Sequence, residues 1–265
     1  MFSKKQLIVS LTAGLATAGL FAGSANAEEE AHSDIMPYVD NGVLLTGGYV
    51  FAEGTAEAGP FTVYEGELGA NYEAEGMPGG DEPGFATDGS STIVSDGTID
   101  FAFPANTALN FNSLLLPGLN LDAAYWDGTL GGNFVATPDT VILTNELISV
   151  DLNGDSTLPG TTGFTIWTSD SNGVGHGHFD VFIDEPDATA QAGIYLISLE
   201  LEAGSGGPTS DPLFFVLNYG LDEELHEVAA DFVSAGDLTA AVPEPASLAL
   251  VLGGGLVALG RRRRA

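Results

Sequence analysis

Cysteine is absent from all 265 residues, so neither a disulfide nor a thiolate ligand or nucleophile is available. Lysine and arginine are almost absent. Lys4, Lys5 and Arg261 to Arg264 make up all six, and none lies between Lys5 and Arg261. That interior holds all 37 acidic residues and cannot form one carboxylate–ammonium or carboxylate–guanidinium pair. Phosphate contacts need cationic side chains, so nucleic acid is excluded as a partner, and phosphorylated substrates and anionic lipid are disfavoured. Catalytic signatures are missing too. No Gly-x-Ser-x-Gly elbow occurs, and His226-Glu227 starts a His-Glu-x-x-His pattern whose second histidine place holds Ala230. Acids are too plentiful to single out a glycosidase pair, so no enzymatic activity is expected.

What is present begins with the two basic ends. Lys4 and Lys5 precede an apolar stretch from Leu7 to Ala22, and Ala25-Asn26-Ala27 closes it with a small-x-small pattern. Residues 1–27 therefore read as a secretory signal peptide cleaved after Ala27. At the other end Pro243-Glu244-Pro245 is followed by the apolar run Ala246 to Gly260 and then by Arg261, Arg262, Arg263 and Arg264. As a helix that run would rise about 22 Å, short of a hydrocarbon core of roughly 30 Å. Snorkelling arginines and local thinning can close the gap, and the arginines orient the tail inward with the acidic body outside. This order resembles the PEP-CTERM sorting signal of Gram-negative bacteria. The resemblance implies recognition by an exosortase-type membrane protease, temporary anchoring in the inner membrane through the C-terminal helix, and delivery to the cell surface or extracellular matrix.

The division expected is signal peptide 1–27, acidic domain 28–234, linker 235–241 and sorting signal 242–265. The body is too rich in aliphatic and aromatic residues for disorder, and its net charge calls for a salty or divalent-rich setting. Short apolar runs broken by Gly, Pro, Asn and Asp give the grammar of strands and turns. Strands are expected over 42–51, 61–68, 92–103, 109–116, 140–151, 163–168, 176–183, 193–201 and 213–218. Residues 194–201 are apolar on both parities except at Ser198 and Glu200, as in a central strand covered on both faces. A helix is expected over 222–233, with Asp222, Glu223 and Glu224 at its N-terminus. Residues 75–91 read as a long surface loop. The fold class expected is all-β: an antiparallel β-sandwich with one short helix near its end, flanked by the signal peptide and a short transmembrane sorting helix.

His176-Gly177-His178 leads the candidates for chemistry. On a strand, His176, His178 and Asp180 share one face, and two imidazoles with a carboxylate suit zinc. The remote source of further ligands is His32-Ser33-Asp34. Asp180 is a weaker candidate. The segments Gly175 to Phe179, Ala192 to Leu196 and Ser210 to Asn218 resemble a group of bacterial surface-anchored proteins in which a His-x-His strand precedes a Gly-x-Tyr strand. Closest is the PEP-CTERM group under zinc-uptake-repressor control, whose early His-x-Asp matches His32 and Asp34 and whose acidic Pro-Gly-Phe loop matches Glu82 to Phe85. The resemblance implies a surface protein made when zinc is scarce, with His32, His176 and His178 as the residues carried over. Asp151-Leu152-Asn153-Gly154-Asp155 alternates acids like a calcium loop, but its Gly stands fourth and Thr162 holds the twelfth place, so no EF-hand forms. Weak calcium binding by Asp81, Glu82, Asp151 and Asp155 is the alternative metal role. A rival from another class is a non-catalytic matrix module holding extracellular polysaccharide or envelope partners.

Overall fold

A computed structural model describes residues 33–50, 55–57, 59–72, 76–88, 93–94, 97–98, 103–145, 147–184 and 190–243. The signal-peptide region, His32, and the sorting residues Glu244, Pro245 and Arg261 to Arg264 lie outside the described residues. The chain lays down β1 (Ser33–Asp40) and β2 (Val43–Val50), then β3 (Thr55–Glu57) and β4 (Val63–Glu67). Four short strands follow: β5 (Gly79–Gly80), β6 (Phe85–Asp88), β7 (Ile93–Val94) and β8 (Gly97–Thr98). Next come β9 (Ala108–Leu114), β10 (Ala123–Trp126), β11 (Val135–Ala136), β12 (Thr140–Thr144), β13 (Ser149–Leu152) and β14 (Thr165–Thr168). Last are β15 (Val174–Gly177), β16 (Asp180–Asp184), β17 (Gly193–Ala203), β18 (Leu213–Tyr219) and the helix α1 (Glu223–Ser234). The described chain is thus strand-dominated with one short helix, and none of its helices is long and apolar enough to cross a membrane.

One sheet runs β15-β6-β1-β2-β3, and a second runs β11-β10-β17-β18-β4 with β9 and β14 continuing from β17. A third runs β13-β12-β16-β5. These three share one apolar core, to which Ile35, Phe85, Val141, Leu143, Tyr195, Leu199 and Phe215 contribute. Pairing is mostly antiparallel, but two pairs correct the purely antiparallel expectation. β18 runs parallel to β4 over five residue pairs, and β1 meets β6 in parallel at Ile35 and Phe85. In each case the partners are far apart in sequence, so the connection has room to cross over, as a parallel pair requires.

β17 is the central strand its composition suggests. Its outer edge pairs with β10 over Ile194 to Ile197 and with β9 over Ser198 to Ala203, while β18 lines the other edge. Successive side chains point to opposite faces. Tyr195, Ile197, Leu199, Leu201 and Ala203 therefore enter the main core, and Ile194 and Leu196 enter a second cluster under α1. Fully burying each such Leu or Ile contributes about 1.5–3 kcal/mol.

α1 matches the expected 222–233 closely, with Asp222 as N-cap and Glu223 and Glu224 in the first turn. Its Val228, Ala229, Phe232 and Val233 are buried, and Phe232 stacks on Phe134 at 6.0 Å between ring centroids. Residues 235–241 do not behave as a free linker. Leu238 and Val242 are buried, the Val242 amide donates to the Gly132 carbonyl at 2.7 Å, and the Gly131 amide donates to the Val242 carbonyl at 2.9 Å. The apolar residues of this stretch find a ready face beside α1, and that outweighs its loop-like composition.

Two further expectations are corrected. Of the expected surface loop 75–91, the described residues 76–88 do not form one: Pro78, Gly79, Gly80, Pro83, Gly84 and Phe85 are buried, and β6 inserts between β15 and β1. The strand expected over 176–183 is broken. β15 ends at Gly177 in the first sheet, and β16 begins at Asp180 in the third. Phe179 causes the switch by turning inward, with its ring 5.2 Å from Phe111, 5.6 Å from Phe85 and 6.0 Å from Phe215.

Candidate metal centre

Two strands and one corner converge beside β6. Asp34 is the second residue of β1, and the Ile35 amide next to it donates to the Gly84 carbonyl at 2.8 Å. On the other side of β6, His176 pairs with Ala86 and Gly177 with Phe85. Gly175 and Gly177 lie flat on the Trp167 indole, where an added Cβ would come within 2.4 Å and 2.9 Å of it. Alternation along β15 then sends His176 off the opposite face, toward Asp34. His178 follows at the corner, and its ring rests on Gly84, whose own Cβ would lie 2.3 Å from the His178 Cε1. The small residues around the two histidines thus make room for one indole and one imidazole.

Atoms rich in lone pairs meet at the centre. His176 Nε2 lies 3.2 Å from Asp34 Oδ2 and 3.0 Å from His178 Nε2. One ligand atom from each of the three residues lies within 4.8 Å of the others. His178 Nδ1 sits 2.8 Å from the Asp81 carbonyl, which can only accept, so this nitrogen carries a hydrogen. In the neutral ring that assignment leaves the His178 Nε2 lone pair aimed at His176. A backbone carbonyl holding the far nitrogen is the usual support for a metal-ligating imidazole. The Asp81 carboxylate stands 3.8 Å from the same Nδ1.

Asp34 is the most constrained of the three. It is 2% exposed, and its Oδ2 makes no well-aligned hydrogen bond. Burial raises its carboxyl above the ordinary range, opposed by the pull of the His178 and His176 rings when protonated and by the Gly84 amide. A buried carboxylate oxygen facing two imidazole nitrogens requires a cation among them, either a proton or a metal ion. A tetrahedral ion with bonds of about 2.0–2.1 Å has ligand–ligand edges of about 3.3 Å. The separations of 3.0 and 3.2 Å fall just inside that edge. His176 is about half exposed, which leaves a route from solvent. The grouping could hold a metal ion.

Of the residues singled out from sequence, Asp34, His176 and His178 come together. Asp180 does not join them, because β16 belongs to another sheet and its carboxylate accepts from the Tyr72 hydroxyl at 3.2 Å. The calcium candidates Asp81, Glu82, Asp151 and Asp155 form no such grouping among the described residues. The turn after β13 presents donors inward instead. The Asp155 and Asn153 amides donate to Asp122 at 2.8 and 3.4 Å, and a cation-binding loop would turn oxygens there.

Sequence reading missed the environment of His226, which pairs with Glu223 on one helix face and looks like surface. In the fold His226 is 2% exposed and lies among Glu65, Glu67 and Glu223. The alternation of Glu65 and Glu67 along β4 was the available signal, but nothing in the sequence places β4 beside α1. No family model, curated protein or solved structure matches the chain.

Proposed function

We propose that this chain is an exported, surface-displayed, non-catalytic protein whose β-sandwich body binds one divalent transition-metal ion, zinc foremost. Asp34, His176 and His178 are the ligands. The observation that carries the reading is the meeting of His176 Nε2 with Asp34 Oδ2 at 3.2 Å and with His178 Nε2 at 3.0 Å, with the carboxylate oxygen buried and poorly hydrogen-bonded. Two imidazoles and one carboxylate suit zinc, whereas calcium takes six to eight oxygens. His32 stands two residues before Asp34 in sequence and is the proposed fourth ligand on that spacing alone.

The address follows from the ends. Cleavage after Ala27 releases the acidic body outside, and an exosortase-type protease acting at the signal that starts with Pro243, Glu244 and Pro245 passes it on to the surface or matrix. An exported body without lysine or arginine and with all but one of the 37 acids suits a setting rich in divalent cations.

Calorimetric titration of chelator-stripped protein with zinc tests the reading, with Trp167 fluorescence as a second readout because the indole underlies Gly175 and Gly177. One zinc per chain, lost in the His176→Ala, His178→Ala double variant, is expected. Equal zinc uptake by wild type and the double variant would reject the site, and retention on extracellular polysaccharide without zinc uptake would favour the matrix-module rival.

A further inference from the structure

His226 is the one imidazole that the proposed centre does not draw on, and it is held differently. Its Nε2 lies 2.9 Å from the Val216 carbonyl of β18, and its Nδ1 lies 2.9 Å from Glu67 Oε1 of β4. Both partners are acceptors, so both ring nitrogens carry hydrogens and the ring is an imidazolium. Every other charged group facing it is acidic. Glu65 Oε2 of β4 is 3.8 Å from Nε2, and Glu223 Oε2 of α1 is 4.0 Å from Nδ1. Glu227 and Asp231 of α1 add negative charge around Glu65. β18 contributes no charge, but its Asn218 amide donates to both Glu67 oxygens at 3.0 and 3.1 Å and fixes that carboxylate for the ring.

We infer that His226 is a proton-loaded clamp: as imidazolium it pins the start of α1 to β4 and β18, and loss of its proton on alkalinisation frees the helix. Among the described residues there is no lysine or arginine, so none of them can replace it there. A neutral ring would turn a lone pair on either the Val216 carbonyl or the Glu67 carboxylate at hydrogen-bond distance, and both contacts are repulsive. Burial disfavours the charged ring, but the Glu67 and Val216 bonds and the Glu65 charge outweigh it, so the folded pKa lies above the ordinary value. The sign follows from linkage. A raised imidazole pKa stabilises the docked helix fully below about 6.5 and loses that stabilisation as pH rises through the folded value.

The test is made on the full-length protein with chelator present, so the proposed zinc centre stays empty and its fate does not enter. Long-range nitrogen–proton NMR follows the His226 ring from pH 6 to 10 while hydrogen exchange, corrected for intrinsic rate, follows α1 and β17 amides. Both ring nitrogens should be protonated at pH 7. The α1 opening constant should climb by up to tenfold per pH unit between about 6.5 and the ring's own pKa, then level off, with β17 unmoved. His226→Gln should remove that climb. A ring that titrates at or below about 6.5 overturns the clamp, as does α1 opening in step with β17 or a climb that survives His226→Gln. Should the variant fail to fold, the wild-type ring titration decides alone.

Discussion

The two histidine neighbourhoods use the same residue types in opposite states of satisfaction. Around His176 and His178, imidazole nitrogens face each other at 3.0 Å and a buried carboxylate oxygen at 3.2 Å, so three ligand-type atoms share one point. Around His226 each nitrogen has its own acceptor at 2.9 Å, so protons fill the same need. Backbone sets the difference. The Asp81 carbonyl fixes His178 from behind and turns its inner nitrogen toward His176, whereas the Val216 carbonyl and Glu67 grip His226 from both sides. Where an imidazole turns a nitrogen toward other ligand-type atoms, metal chemistry is open to it; where both nitrogens meet acceptors, the ring serves as the fold's own cation.

The contrast breaks most visibly by deleting His226. His226→Ala removes two charge-assisted bonds and leaves a space in the buried face of α1, which should cost about 3 kcal/mol in denaturant unfolding while leaving the zinc response intact. The reverse holds at the other site. Zinc at 100 times its dissociation constant should stabilise wild type by about 2.7 kcal/mol, measured as a melting shift, and the His176→Ala, His178→Ala variant should show none of it. If the two variants exchanged these phenotypes, the assignment of proton and metal would be reversed. Gly84→Ala sharpens the same line. Its Cβ would press on the His178 ring at 2.3 Å, so zinc affinity should fall about 10- to 100-fold, with about 2 kcal/mol lost to overpacking.

Much of the fold was legible, and the limits have physical causes. The burial of β17 on both faces and the boundaries of α1 follow from apolar periodicity, which local sequence carries. The corner at His178 and Phe179 does not, because it depends on Phe179 finding Phe85, Phe111 and Phe215 across the core. That corner also explains why Asp180 shares a face with the histidines in an ideal strand and leaves it in the fold. β1 was within reach: Asn41-Gly42, at φ 49° and 83°, is the two-residue turn that joins twisted antiparallel strands, and it marks a hairpin starting well before Gly42. Reading it would have set Asp34 on a strand from the outset. For the site itself, His-x-His and His-x-Asp named the residues, but their meeting depends on β6 inserting between β1 and β15, where composition suggested a loop. The neighbours of His226 come from β4, far away in sequence, and only the parallel pairing with β18 brings them there.

The smallest expected effects separate a gripping carboxylate from a bystander. Glu67 touches His226 at 2.9 Å and takes both amide hydrogen bonds from Asn218, yet its side chain is more than half exposed, so water screens part of its pull. Glu67→Gln keeps the shape and removes the charge; it should cost about 1 kcal/mol and lower the His226 pKa, moving the alkaline loosening of α1 toward neutrality. Glu223 stands 4.0 Å away and is 67% exposed, which is the geometry of a surface pair. Glu223→Gln should therefore change unfolding free energy by no more than about 0.5 kcal/mol and shift the ring titration less than Glu67→Gln does. Equal shifts from the two substitutions would mean that His226 senses the general anionic field of the helix and strand rather than a partner held in contact. The clamp would then reduce to diffuse electrostatics that added salt should abolish.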